Sequence, residues 1–83
     1  MKQLYKLPAK FWNDHAERGL PAGELSSESG NLVWIVATED EIKEILSDAK
    51  FYSDPWGPDD LPPGLKASAA RTVKAIERQT REK

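Results

Sequence analysis

Apolar residues are scattered along most of this chain and form one unbroken run, Leu32-Val33-Trp34-Ile35-Val36-Ala37. Six β-branched, aromatic and aliphatic residues bounded by Gly30-Asn31 and by Thr38-Glu39-Asp40-Glu41 read as a strand rather than a helix. A strand apolar on both faces needs cover on both. Alternation places Val33, Ile35 and Ala37 on one face and Leu32, Trp34 and Val36 on the other.

Around this strand the pattern predicts a (β)αββαα order. Residues 2–7, with Leu4, Tyr5 and Leu7, suit a short edge strand. Pro8 fits the first position of a helix over 8–18, carrying Phe11, Trp12, His15 and Ala16 at helical spacing and stopped by Gly19-Leu20-Pro21. Residues 22–28 make a weaker strand with Leu25 as its only large apolar residue. Ser29-Gly30-Asn31 turns it back, so residues 23–28 pair with 31–37 as a hairpin.

Thr38 and Glu41 form a capping box opening the next helix. Ile42, Ile45, Leu46, Ala49 and Tyr52 fall on one of its faces, and Asp54-Pro55 ends it. The last helix runs from Pro63 or Gly64 to near Arg81. Leu65, Ala69, Val73, Ile76 and Thr80 form its apolar stripe, within about 80° on a helical wheel. Arg71, Lys74, Arg78 and Arg81 form a basic stripe roughly 150° away.

The expected fold is therefore α+β: a small two-layer domain in which two C-terminal helices pack on an antiparallel β-hairpin or small sheet. It is read as a single domain over 1–83. Residues 1–37 hold the short helix and hairpin, 38–54 the acidic amphipathic helix, 55–63 a Pro-rich loop, and 64–83 the basic C-terminal helix. The two later helices take the Val33/Ile35/Ala37 face. For the Leu32/Trp34/Val36 face, the expected cover is the first helix, through Phe11 and Trp12; without it, that face is an apolar patch open to a partner.

Composition narrows the class. With 39% hydrophobic and 31% charged residues, the chain suits a globular protein rather than a disordered one. At 83 residues it buries only a thin core. Its apolar run is far below the roughly 20 residues of a membrane span. No basic-then-apolar leader opens it, and there are no cysteines for disulfides or thiolate chemistry. The expectation is a cytoplasmic protein with no membrane association.

Charge is segregated. Residues 38–63 carry eight acids (Glu39, Asp40, Glu41, Glu44, Asp48, Asp54, Asp59, Asp60) against Lys43 and Lys50. Residues 64–83 carry six bases (Lys66, Arg71, Lys74, Arg78, Arg81, Lys83) against Glu77 and Glu82. Either these segments pair with each other, or the basic end serves an acidic partner.

Candidate chemistry is sparse. His15 is the only histidine, and its helical neighbours Phe11 and Trp12 suggest a packed residue rather than a general base. No serine carries the flanking glycines of a nucleophile elbow, and no P-loop, dinucleotide fingerprint or zinc spacing occurs. Asp54, Asp59 and Asp60 lack the alternation of a calcium loop. No enzyme, cofactor, metal or small-molecule substrate is expected.

What remains is binding. Leu32, Trp34, Val36 and Trp56 are the candidate protein contacts, for a partner protein or a homodimer. Arg71, Lys74, Arg78 and Arg81 are the candidates for nucleic acid or another acidic surface. A pI near 5.3 and the lack of aromatics after Trp56 weigh against the second reading.

Three strings, Gly19-Leu-Pro-Ala-Gly23, Leu46-Ser-Asp-Ala-Lys-Phe-Tyr-Ser-Asp54 and Ala67-Ser-Ala-Ala-Arg-Thr-Val-Lys-Ala-Ile76, are similar to small uncharacterised proteins of bacteriophages and actinobacteria. The resemblance implies a stand-alone accessory protein. It carries no assigned activity or site residues.

Overall fold

The six-residue apolar run lies at the centre of a three-stranded antiparallel sheet, in the order β1-β3-β2. The computed structural model describes residues 2–58 and 60–81, and of Arg81 only the backbone. Its elements are β1 (Gln3–Pro8), α1 (Ala9–Glu17), β2 (Glu24–Ser29), β3 (Leu32–Ala37), α2 (Glu39–Ser53) and α3 (Leu65–Arg81). The fold is the expected α+β domain, with β1 as a full edge strand.

Each boundary has a local cause. Pro8 closes β1 and precedes α1 with φ −59° and ψ 130°, so it flanks the helix instead of forming its first residue. Thr38 Oγ1 accepts from the Glu41 N–H at 3.2 Å, and the Glu41 carboxylate accepts from the Thr38 N–H at 2.8 Å. That reciprocal box satisfies two N–H groups that a helix start leaves without partners. The hydrogen bond from Thr38 also holds the Glu41 carboxyl below its ordinary range.

Register fixes what each sheet face presents. Tyr5 pairs with Ile35 and Leu7 with Val33, while Leu4 pairs with Val36 and Lys6 with Trp34. On the other side of β3, Glu24 pairs with Val36 and Ser27 with Trp34, with an irregularity between Leu25 and Ser27 that leaves Ser26 unmatched. Tyr5, Leu7, Val33, Ile35 and Ala37 are buried and belong to the same cluster as Phe11, Ile42, Ile45, Ala49, Leu65, Ala69 and Ile76. Every helix thus contributes to one core.

Two expectations require correction. The first helix does not cover the Leu32/Trp34/Val36 face. Phe11 and Trp12 are buried in the same core as α2 and α3, and Phe11 lies edge-on to Tyr52 of α2 at 5.7 Å between centroids. Helix α1 begins at the residue after the strand, and its first N–H donates to the Asn31 carbonyl at 2.7 Å. Among the described residues, helices cover the sheet on one face only.

The buried stripe of α3 is also rotated from the expected one. Ser68 and Thr72 are buried with Leu65, Ala69 and Ile76, whereas Val73 is half-buried and Thr80 exposed. The hydroxyls are tolerated because each is partnered. Ser68 Oγ accepts from the Phe11 N–H at 3.1 Å, and Thr72 Oγ1 donates to the Ser68 carbonyl at 2.8 Å.

Candidate functional site

Three features invite a functional reading: the sheet face without helices, the polar cluster around His15, and the basic side of α3.

The open face is built by alternation. β1 contributes Leu4, Lys6 and Pro8, with Lys2 just before it; β3 contributes Leu32, Trp34 and Val36, and β2 contributes Glu24, Ser27 and Ser29. Leu4 is 58% exposed. Leu32, Trp34 and Val36 are half-buried, yet they are absent from the apolar residues that pack on the core. The face therefore has an apolar centre, Lys6 on β1 with Lys2 just before that strand, and a glutamate on β2, with Lys2 Nζ 3.9 Å from Glu24 Oε1.

Both edges of the sheet are blunted. The Gln79 carboxamide accepts from the Lys6 N–H and donates to the Lys6 carbonyl, each at 2.9 Å, occupying the outer edge of β1. On the far edge, all six residues of β2 are exposed, and the irregularity at Ser26 together with Glu24 and Glu28 interrupts a flat pairing surface.

His15 is 1% exposed and engaged at both nitrogens. Nδ1 lies 2.8 Å from Asp48 Oδ2 and Nε2 lies 2.9 Å from the Pro21 carbonyl oxygen. Both ring nitrogens are thus engaged with oxygens of the protein rather than with open solvent. Its ring stacks on Phe11 at 6.0 Å. The packed-residue reading from sequence agrees with this geometry, but Asp48 and Pro21 as partners were beyond the reach of local spacing.

Asp48 gathers charge from two sides. Arg18 bonds it through the guanidinium and bonds Asp14 through Nε at 3.0 Å. Arg18 also lies over the Tyr52 ring, 4.6 Å from its centroid. Burial raises the Asp48 carboxyl's affinity for a proton, but hydrogen bonds and charge from Arg18 and His15 outweigh it, and the group is held below its ordinary range. The cluster ties the α1–β2 loop to α2.

On α3, Arg71, Lys74 and Arg78 are exposed. Among the described residues no ion pair links them to α2. The expected alternative of mutual pairing between the acidic and basic helices is not what holds α2 and α3 together; their apolar stripes do. Arg71 shares a cleft of about 290 Å³ with Lys10, Asn31, Gly64 and Ser68. Arg81 ends α3, and its side chain lies outside the described residues, as does Asp59.

Trp56 is 95% exposed, in the connection between α2 and α3. It follows the end of α2, outside the strand that carries Trp34. Asp54 accepts the Trp56 N–H at 2.9 Å, which assigns that carboxylate to a turn. No group of three or more His, Cys, Asp or Glu poised for a metal occurs among the described residues. None of the described helices is long and apolar enough to cross a membrane.

Comparisons with protein-family models, with curated proteins and with solved structures each return no match to this chain.

Proposed function

We propose that this is a small non-enzymatic accessory protein that acts by binding protein through its open sheet face. The observation that carries this reading is one-sidedness: all three helices pack on one side of the sheet, leaving Leu4, Leu32, Trp34 and Val36 without helical cover. Such a patch, apolar at the centre and rimmed by Lys2, Lys6 and Glu24, has the anatomy of a protein contact. Trp34 is its natural anchor, because large aromatic side chains dominate interface energetics.

Co-purification tests it. A tagged wild-type chain and its Leu4→Glu and Trp34→Glu variants, each verified as folded by circular dichroism, are recovered from cells and their bound proteins compared. The reading expects stoichiometric partners, whether other proteins or untagged copies of the chain, to be lost with both variants and kept with Arg78→Glu. Partners retained by both sheet-face variants contradict it.

A second reading has its own observation in the exposed cations Arg71, Lys74 and Arg78, which form no ion pair among the described residues, with Lys10 beside Arg71. These could align with phosphates, each adding salt-dependent affinity. A gel shift at low salt that is abolished by reversing Lys74 and Arg78 together supports nucleic-acid binding. The absence of any shift ends that reading.

A further inference from the structure

Building on the sheet-face reading, we infer that the partner of this face is a second copy of the chain, packed face to face about a twofold axis parallel to β3. The charge layout of the face selects this arrangement. Lys2 and Lys6 lie on the β1 flank and Glu24 on the β2 flank, with β3 between them. A twofold axis along β3 lays β1 of each copy over β2 of the other, so each Lys6 comes within reach of the other copy's Glu24. A twofold axis running across the strands stacks β1 on β1 instead, and sets Lys6 against Lys6. Opposite charges facing each other favour the first and like charges penalise the second.

Shape agrees with charge. Trp34 is level with Lys6 on one side and Ser27 on the other. At the axis it meets its own symmetry mate, as an isologous contact requires. Small Ser27 leaves room over β2 for the alkyl stem of the other copy's Lys6, whose ammonium then reaches the acidic rim. Aligned packing of two sheets about 10 Å apart suits such a pair of twisted, three-stranded faces.

The blunted edges remove the competing mode. With Gln79 on the Lys6 backbone and the irregularity in β2, growth of the sheet from edge to edge meets an obstacle on both sides, while the face meets none. The Lys2–Glu24 ion pair does not spoil the scheme, since both side chains are well exposed and such pairs hold weakly. The interface is small. Six-residue strands in a three-stranded sheet span roughly 20 by 15 Å, about 300 Å² per copy against about 800 Å² in a standard interface, so the dimer is weak and concentration-dependent.

Sedimentation equilibrium of the full chain from about 10 μM to about 1 mM is the test. The wild-type chain is expected to show reversible monomer–dimer exchange. Leu4→Glu, at an exposed position that leaves the fold intact by circular dichroism, weakens dimerisation at least about tenfold. Lys6→Glu does the same, and the double exchange Lys6→Glu with Glu24→Lys restores association to within about threefold of wild type. A monomer at every concentration overturns the inference. So does a dimer indifferent to Leu4→Glu, or a double exchange no better than Lys6→Glu alone. A chain that stays monomeric yet loses a co-purifying protein on Leu4→Glu overturns the second copy as occupant, while the binding face itself stands.

Discussion

The side-chain amide of Gln79 pairs with the backbone of Lys6 as one step of a fourth strand would, accepting from its N–H and donating to its carbonyl at 2.9 Å each. Gln79 Nε2 also donates to the Ala75 carbonyl at 2.9 Å, so the amide is held by its own helix while it holds the strand. Two hydrogen bonds between residues 73 positions apart thereby fasten α3 along β1. Gln79→Ala is expected to lower stability by about 1–2 kcal/mol, the sum of two net hydrogen bonds, measured by urea unfolding. Hydrogen exchange at the Lys6 amide should accelerate selectively. Unchanged exchange at Lys6 contradicts the pairing.

Asp48 makes stability depend on acid. Its folded-state affinity for a proton is depressed, so its contribution is fully present above the ordinary carboxyl value of 3.8 and is lost as pH falls through the lower folded value. Asp48→Asn is expected to cost about 2–3 kcal/mol at neutral pH, because the buried His15 loses its charged partner and Arg18 its main anchor. Denaturant midpoints of the two proteins should converge as pH drops below about 4. A constant gap down to pH 2 would show that the carboxylate's charge is not what stabilises the α1–β2 loop.

Gly23 enters β2 with φ 74°, and a Cβ there would lie 2.6 Å from the Val36 carbonyl oxygen and 2.8 Å from Ala37 Cβ. The backbone is both left-handed and pressed against the central strand. Gly23→Ala should therefore cost more than about 2 kcal/mol, against about 1 kcal/mol for Gly19→Ala, where φ is 79° but the space is open. Thermal unfolding of the pair checks the ordering. Equal effects would argue against close contact between this turn and β3.

The alternation of β3 predicts a sharp asymmetry in mutational cost. Ile35 is 0% exposed, and Ile35→Ala should remove about 2–4 kcal/mol. Leu4→Glu, on the opposite face and 58% exposed, should change stability by less than about 0.5 kcal/mol in dilute solution. A large loss at Leu4 would mean that something in the chain covers it.

Much of this fold was legible because local rules and burial agreed. The capping box at Thr38 and Glu41, the stop at Asp54 and the alternation in β3 are short-range signals that packing reinforces. Helix α1 packs with α2 and α3 instead of on the expected Leu32/Trp34/Val36 face; periodicity identifies an apolar stripe without saying which layer receives it. The layer is fixed by long-range contacts: the Phe11 N–H to Ser68, the Phe11 ring on Tyr52 and His15 on Asp48. On α3, hydroxyls at Ser68 and Thr72 read as polar but are buried through long-range and helical hydrogen bonds. Candidate residues Leu32, Trp34 and Val36 fell on one face by alternation alone, whereas Leu4 and Lys6 joined them only through the β1–β3 register. His15 was placed in an aromatic setting, but its partners Asp48 and Pro21 belong to other elements.

Helices close one face of the sheet, and the other is the face we propose for a partner. Methyl NMR with a soluble paramagnetic relaxation agent tests it directly. In dilute solution the methyls of Leu4, Leu32 and Val36 should broaden strongly while those of Val33, Ile35 and Ile45 stay protected. At high protein concentration the first set should become shielded as the second copy docks. Leu32 and Val36 as protected as Val33 at every dilution, or an open face never shielded at any concentration, would contradict the account.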